Sequence, residues 1–425
     1  MWWYFLSLAL SCNINPLLNL CHLLSSRPGL TTLYTIIVTE EWHEIFGSDP
    51  KPDNIRFATI PSPEELEPEP SDTEMAKQFD RLPDTMELQL KFIIADVTLG
   101  RSTFDVANRR NIPVAAYWLM SASTLSFLHH MLTSTRHLGN EGTYDLSQTR
   151  LSRMLLTPKI TSLFPLDTRA KCLVLTTTYE LQGDAVDETV NTLIYLCMSL
   201  AQTYPISGVC HQSKPPGSVL YISLGSLVQV SNNQIAEVLA GLKQSGVTFL
   251  WAAGGETSLL SDDDYGSDGL VVEWCDQLRP EGIVTFFGWN STKEGLFSGV
   301  PLLTFPLQGD EAFNSKLIYE GWKVGRKLKT CSNAFVSREV VKDVVREFMG
   351  LEGDSRASLM ERVKHVEGIC RQSVEEVGKE IDSFIRESET NWLQPTSNPC
   401  SVTTFVTSAL ASTDPPPLVI DYGAN

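Results

Sequence analysis

Short apolar runs recur along this chain at intervals that a helix would fill, and they do so twice, on either side of a Pro-, Gly- and Ser-rich stretch at residues 204–218. In the first half the runs are residues 33–38, 55–60, 91–97, 113–119 and 172–177; in the second they are 218–224, 247–252, 270–274, 283–287 and 300–305. Runs of Val, Ile and Leu without polar alternation mark strands buried on both faces, and their alternation with helices predicts parallel sheets covered on either side. The opening MWWYFLSLALSC is apolar enough for a further strand but carries no glycine for the turn after it. The expected fold class is α/β, with doubly wound domains at 1–203 and 219–387 joined by a linker at 204–218. The last helix of the second domain is expected to pack back on the first. Segment 61–74, rich in Pro and acid, reads as a solvated loop, and the Ser-, Thr- and Pro-rich tail 388–425 as disordered.

Two helices of the second half announce their ends. Ser231 with Gln234 three residues on forms a capping box, Ile235, Val238, Leu239 and Leu242 make one apolar face, and Gly246 stops the helix. Ser337 is placed to cap a helix whose Val340, Val341, Val344, Val345 and Phe348 face a core.

A formal net charge of −18 over 425 residues argues against nucleic-acid or anionic-membrane partners, which need a basic face. Nine cysteines are scattered without a C-x-x-C pair, which fits a reduced compartment and a cytoplasmic protein. The apolar start has no positive n-region and no clear cleavage site, so no leader is expected, and no run reaches the length of a membrane span. The protein is expected to act as a monomer on small molecules.

The densest chemistry lies in WCDQLRPEGIVTFFGWNSTKEGLFSGVPLLTFPLQGDE, residues 274–311. A buried strand ending near Phe287 and the turn residue Gly288 lead into a helix for which Asn290 and Ser291 read as N-cap residues. The positive end of that helix then faces the region above the strand ends, an arrangement that cradles phosphate. Glu294, one turn on, is placed to accept from ribose hydroxyls, and Trp274 offers a flat face to a base. The next strand delivers Asp310 and Glu311, two carboxylates suited to a polyhydroxylated sugar. The strand-bound glycine pattern G-x-G-x-x-G of nicotinamide enzymes occurs nowhere in the chain.

W-C-x-Q, G-W-N-S, Glu294, G-V-P and Asp310, in this order, resemble the C-terminal signature of the plant family 1 UDP-glycosyltransferases. Further likeness in INPLLNLC, VTEEW, GSDP, NRRNIP and GSVLYIS extends it over roughly residues 13–387, towards a flavonoid- or terpenoid-type branch. The resemblance implies the GT-B architecture, two Rossmann-like domains facing across a cleft. It implies transfer of glucose, with inversion, from UDP-glucose to a hydroxyl of a small lipophilic acceptor. In its terms Trp274 stacks on uracil, Gln277 and Glu294 hold the ribose, Asn290 and Ser291 hold phosphate, and Trp289, Asp310 and Glu311 meet the sugar, with Ser226 and Cys275 in the same UDP-sugar site. No cofactor and no metal are expected, because dipoles can stabilise a leaving diphosphate.

Three departures stand out. The segment between Gln277 and Gly288 is about six residues short, with Phe286 and Phe287 at the His-Cys pair; Glu311 replaces Gln, an acceptor-only group for an amide. The third concerns the base. Inverting transfer needs a group of near-neutral pKa to take the acceptor's proton, and the resemblance implies a His opening the first helix, oriented by an Asp at a strand end. Asp96 in FIIADV matches the Asp, whereas the His position holds Asn13, whose amide has no useful basicity. His22 lies nine residues on, about 13 Å along a helix, and His129 and His130 read as structural. Misplaced exon boundaries would account for all the irregularities together. The alternative is a diverged relative that binds nucleotide or acceptor without turnover.

Overall fold

In the computed structural model, described residues are 2–6, 11–27, 32–40, 43–44, 51–60, 92–97, 104, 107–137, 170–189, 195–197, 217–223, 230–252, 266–272, 283–285, 288–307, 310–328, 335–350, 352–388 and 390. The chain forms two compact units, Met1–Gln202 with Ser373–Thr407 and Thr203–Gln372 with Ser408–Asn425.

The first unit holds strands β1 (Trp2–Leu6), β2 (Leu33–Thr39), β3 (Ile55–Ile60), β4 (Phe92–Asp96), β5 (Val114–Trp118), β6 (Cys172–Leu175) and β7 (Tyr195–Cys197). They form one parallel sheet in the order β3-β2-β1-β4-β5-β6-β7. The opening apolar stretch is thus a central strand. Every residue of FIIAD and VAAYW is buried, as strands covered on both faces require. Helix α1 (Ser11–Ser25) follows β1 and sets Leu17, Leu20, Cys21 and Leu24 into the core at helical spacing.

Part of that core comes from the far end of the chain. After α2 (Ala122–His137) and α3 (Tyr179–Thr189), the long final helix Gly353–Glu387 contributes Val377, Ile381, Phe384 and Ile385. Phe384 meets Phe92 of β4 edge-to-face, ring centroids 5.9 Å apart, and Arg27 pairs with Asp382 at 3.4 Å.

The second unit repeats the scheme with β8 (Val219–Ser223), β9 (Thr248–Ala252), β10 (Gly269–Val272), β11 (Ile283–Thr285), β12 (Leu302–Thr304) and β13 (Gly325–Lys327), all parallel, in the order β10-β9-β8-β11-β12-β13. Helix α4 (Asn232–Ser245) is capped at its start by Ser231, whose Oγ accepts from Gln234 N–H at 3.3 Å, and ends at Gly246 with φ 68°. Only half of the expected capping box forms. The Gln234 amide is buried and pairs instead with the backbone of Val336, donating to its C=O at 2.8 Å and accepting from its N–H at 2.9 Å. At the next helix, Arg338–Met349, the Ser337 side chain makes no capping bond; Glu237 of α4 accepts from Arg338 N–H at 2.7 Å and grips its guanidinium as well. Arg346 of that helix in turn donates to Ser245 C=O at the end of α4 at 2.9 Å, and the two helices lie near enough that a Cβ on Gly241 would be 2.5 Å from that of Val341. Val341, Val345 and Phe348 are buried as expected, but Val340 is exposed, one helical step outside the stripe.

Each sheet order reverses once, between β1 and β4 in the first unit and between β8 and β11 in the second. Crevices for ligands in doubly wound sheets open beyond the strand C-termini at these reversals.

Candidate active site

In the second unit the helix after β11, which we label α5 (Trp289–Ser298), starts at the reversal. Its N-cap is Gly288 in an extended conformation with no side-chain cap, and the first helical bond runs from Thr292 N–H to Gly288 C=O at 3.1 Å. Asn290 and Ser291 are accordingly the second and third residues of the helix and not its cap. Their backbone N–H groups lie in the first turn, where N–H groups point out of the helix end and the positive end of the helix dipole is concentrated. Glu294 sits a turn further on, half-buried.

Trp289 is 4% exposed and lies tilted against Trp322, centroids 6.4 Å apart. Gly299 ends the helix at φ 66°, in space that Glu367 Oε2 closes to 2.2 Å from any Cβ.

Beyond β12, Asp310 occupies the N-cap position of the short helix α6 (Glu311–Lys316), without a side-chain capping bond. Its carboxylate accepts from Asn314 Nδ2 at 3.0 Å, yet burial outweighs that bond and raises its pKa to about 6. Glu311 is buried and turned inward, accepting from Leu307 N–H at 2.5 Å and so closing the bend that presents Asp310. Asp310 thus stands just ahead of α6, and one carboxylate oxygen of Glu311 is engaged by the backbone of Leu307.

In the first unit Asp96 ends β4 and is 1% exposed. Its register partner on β5 is Tyr117, whose hydroxyl donates to Pro16 C=O at 3.1 Å. Asn13 is the third residue of α1, one turn before Pro16, and β4 with Asp96 at its end lies beside β1, the strand that α1 follows. Tyr117 is fully buried; burial, then the charges of Cys21 and Asp96, hold its phenol well above the usual range. His22 is half-buried with its pKa lowered by burial, and His129 and His130 lie on α2 with rings 6.2 Å apart.

Ser226, Trp274, Cys275, Gln277, Phe286 and Phe287 lie outside the described residues, as do segment 61–74 and the tail beyond 390. Sequence reading missed three buried polar groups: Tyr117, Asn314 and Lys293. Only Lys293 left a signal, a charge in the otherwise apolar Trp289/Leu296 stripe. Among the described residues no helix is long and apolar enough to cross a membrane, and Cys21, Cys172 and Cys370 are buried free thiols.

Two parallel doubly wound units with a nucleotide-type helix end at one reversal are the GT-B architecture. Residues 209–351 match the family described as UDP-glucoronosyl and UDP-glucosyl transferase. UDP-glycosyltransferase 87A2 of Arabidopsis thaliana is 35% identical over 430 residues, covering 88% of this chain and 94% of that one. Among solved structures, Medicago truncatula UGT71G1 complexed with UDP-glucose superposes at TM-score 0.71 with 18% identity, over 90% of this chain and 98% of that one. Phytolacca americana UGT2 complexed with UDP-2fluoro-glucose and pterostilbene gives 0.73 with 20% identity, over 92% and 100%. The chain belongs to the plant UDP-glycosyltransferases.

Proposed function

We propose that the chain binds UDP-glucose with its diphosphate at the first turn of α5 and transfers the sugar, with inversion, to a hydroxyl of a small lipophilic acceptor of flavonoid or terpenoid type. The observation that carries this reading is the placement of that uncapped first turn at the β8/β11 reversal, with Asp310 presented at the end of the strand next to β11. The neighbours support it by what they hold: UDP-glucose in one, and a fluorinated donor with pterostilbene in the other.

In this reading the acceptor oxygen attacks the anomeric carbon as the bond to the diphosphate oxygen breaks. The acceptor's proton leaves to a base, and UDP departs with its charge held by helix N–H groups. Neither a metal nor a cofactor has a step to perform. Glu294 takes the ribose hydroxyls, and Asp96 is the group that would orient and neutralise a protonated base on α1.

Asn13 favours a second reading, a protein that retains nucleotide affinity without appreciable turnover. Calorimetric titration with UDP, alongside a transfer assay using UDP-glucose and a flavonol, separates the two. UDP binding with transfer supports the first, UDP binding alone supports the second, and absence of UDP binding overturns both. Glu294→Ala should weaken UDP and leave acceptor binding unchanged.

A further inference from the structure

The inner face of α5 is a stripe of Trp289, Thr292, Lys293 and Leu296, at the spacing of residues that look into a core. Three of them suit that place. The fourth is a lysine only 9% exposed, whose Nζ is shut off from water and has no hydrogen-bond partner among the described residues.

Withdrawing an ammonium from water without a counter-ion is costly, and a Leu or Met would fill the same space at no such cost. Among the described residues its charged neighbour is Glu294, the next residue along, about 100° around the helix. That attraction does not offset the burial, and the Lys293 pKa falls to about 7.

The direction of the side chain gives the charge a destination. Cα–Cβ bonds in a helix tilt toward the N-terminus, so the lysine stem runs back over the turn of Trp289 and Asn290. Lys293 stands about 6 Å along the axis from Trp289, at 1.5 Å per residue, and its long stem leads toward the helix end. There the outward N–H groups already make the potential positive. Cation and helix end carry the same sign and repel one another in a poorly screened interior. A ligand with two adjacent negative groups relieves both at once.

We propose that Lys293 is a buried counter-charge for a diphosphate seated on the first turn of α5, strengthening the field of the helix end from behind. The proposal rests on the nucleotide reading above. It adds a specific residue and a specific part of the ligand: the diphosphate, and neither base nor sugar.

The test compares the full chain with Lys293→Met by calorimetry, using UDP, uridine and inorganic pyrophosphate, with melting temperature recorded alongside. The expected result is UDP affinity about tenfold lower in Lys293→Met, uridine affinity unchanged, and a melting temperature equal or higher once the buried charge is gone. Equal UDP affinity in the two proteins would overturn the proposal and leave the nucleotide reading standing. UDP and uridine weakened alike would also overturn it, since the lysine would then be shaping the pocket as a whole. A chain that binds pyrophosphate through Lys293 but not UDP would keep the anion site and sink the nucleotide reading. Binding of neither ligand by the unaltered chain would end both.

Discussion

The hydroxyl of Tyr117 reaches across 101 positions of sequence to the carbonyl of Pro16, 3.1 Å away, while its own backbone stands in register with Asp96. One buried phenol thereby ties the start of α1 to the strand pair that carries the acid of the proposed catalytic pair.

Tyr117→Phe removes that tie without changing the packing of the ring. It should lower stability by about 1 kcal/mol, the net worth of one buried hydrogen bond. Urea unfolding measures the loss, and an unchanged midpoint would mean that the bond contributes nothing.

Asn13→His restores a titratable group one turn before Pro16. If transfer lacks only its base, the variant should gain on the order of 10² to 10⁴ in rate, the usual worth of general-base catalysis. The gain should be partial if the diphosphate is held less firmly than in intact relatives. No gain at any pH between 6 and 9 would remove Asn13 and Asp96 from the reaction.

Asp310 makes stability depend on pH. Its folded pKa of about 6 lies above the ordinary 3.8, so between these values the folded protein holds more protons than the unfolded chain. Stability must then fall as pH rises through that window, by on the order of 3 kcal/mol in total. Asp310→Asn should be more stable than the parent at pH 7, and the difference should shrink toward pH 4. A difference independent of pH in urea titrations would contradict the assignment.

Gly241→Ala places a methyl 2.5 Å from Val341 Cβ and 2.7 Å from Arg338 C=O. Helix propensity favours alanine, but the contact must open, and the expected loss is about 1–3 kcal/mol. A melting temperature equal to or above the parent's would show that the two helices have room.

Most strands were legible because a strand buried on both faces has only one kind of sequence, a short apolar run such as FIIAD or VAAYW, whereas the three-residue edge strands β7 and β13 were not expected. The helix at the β8/β11 reversal was legible for a related local reason: Gly288 and Gly299 punctuate it at both ends. What sequence could not give were pairings set by distant partners. Gln234 looks like a capping residue, and only the approach of Val336 turns its amide elsewhere. Nothing in the sequence around Glu311 announces that its carboxylate accepts from Leu307 N–H. Val340 fits the apolar stripe on a helical wheel and is exposed because the partner helix meets a narrower arc.

The last helix has a consequence for how the chain is born. The first unit draws Val377, Ile381, Phe384 and Ile385 into its core, so its packing stays unfinished until the ribosome has gone far past Gln202. At the usual rates of synthesis that interval is roughly 10–40 s, during which the order of domain completion is inverted: residues 203–372 emerge whole before the N-terminal unit receives its final layer. A chain cut short before residue 377 would leave the N-terminal sheet with an open apolar face, a form for chaperones and proteases to find.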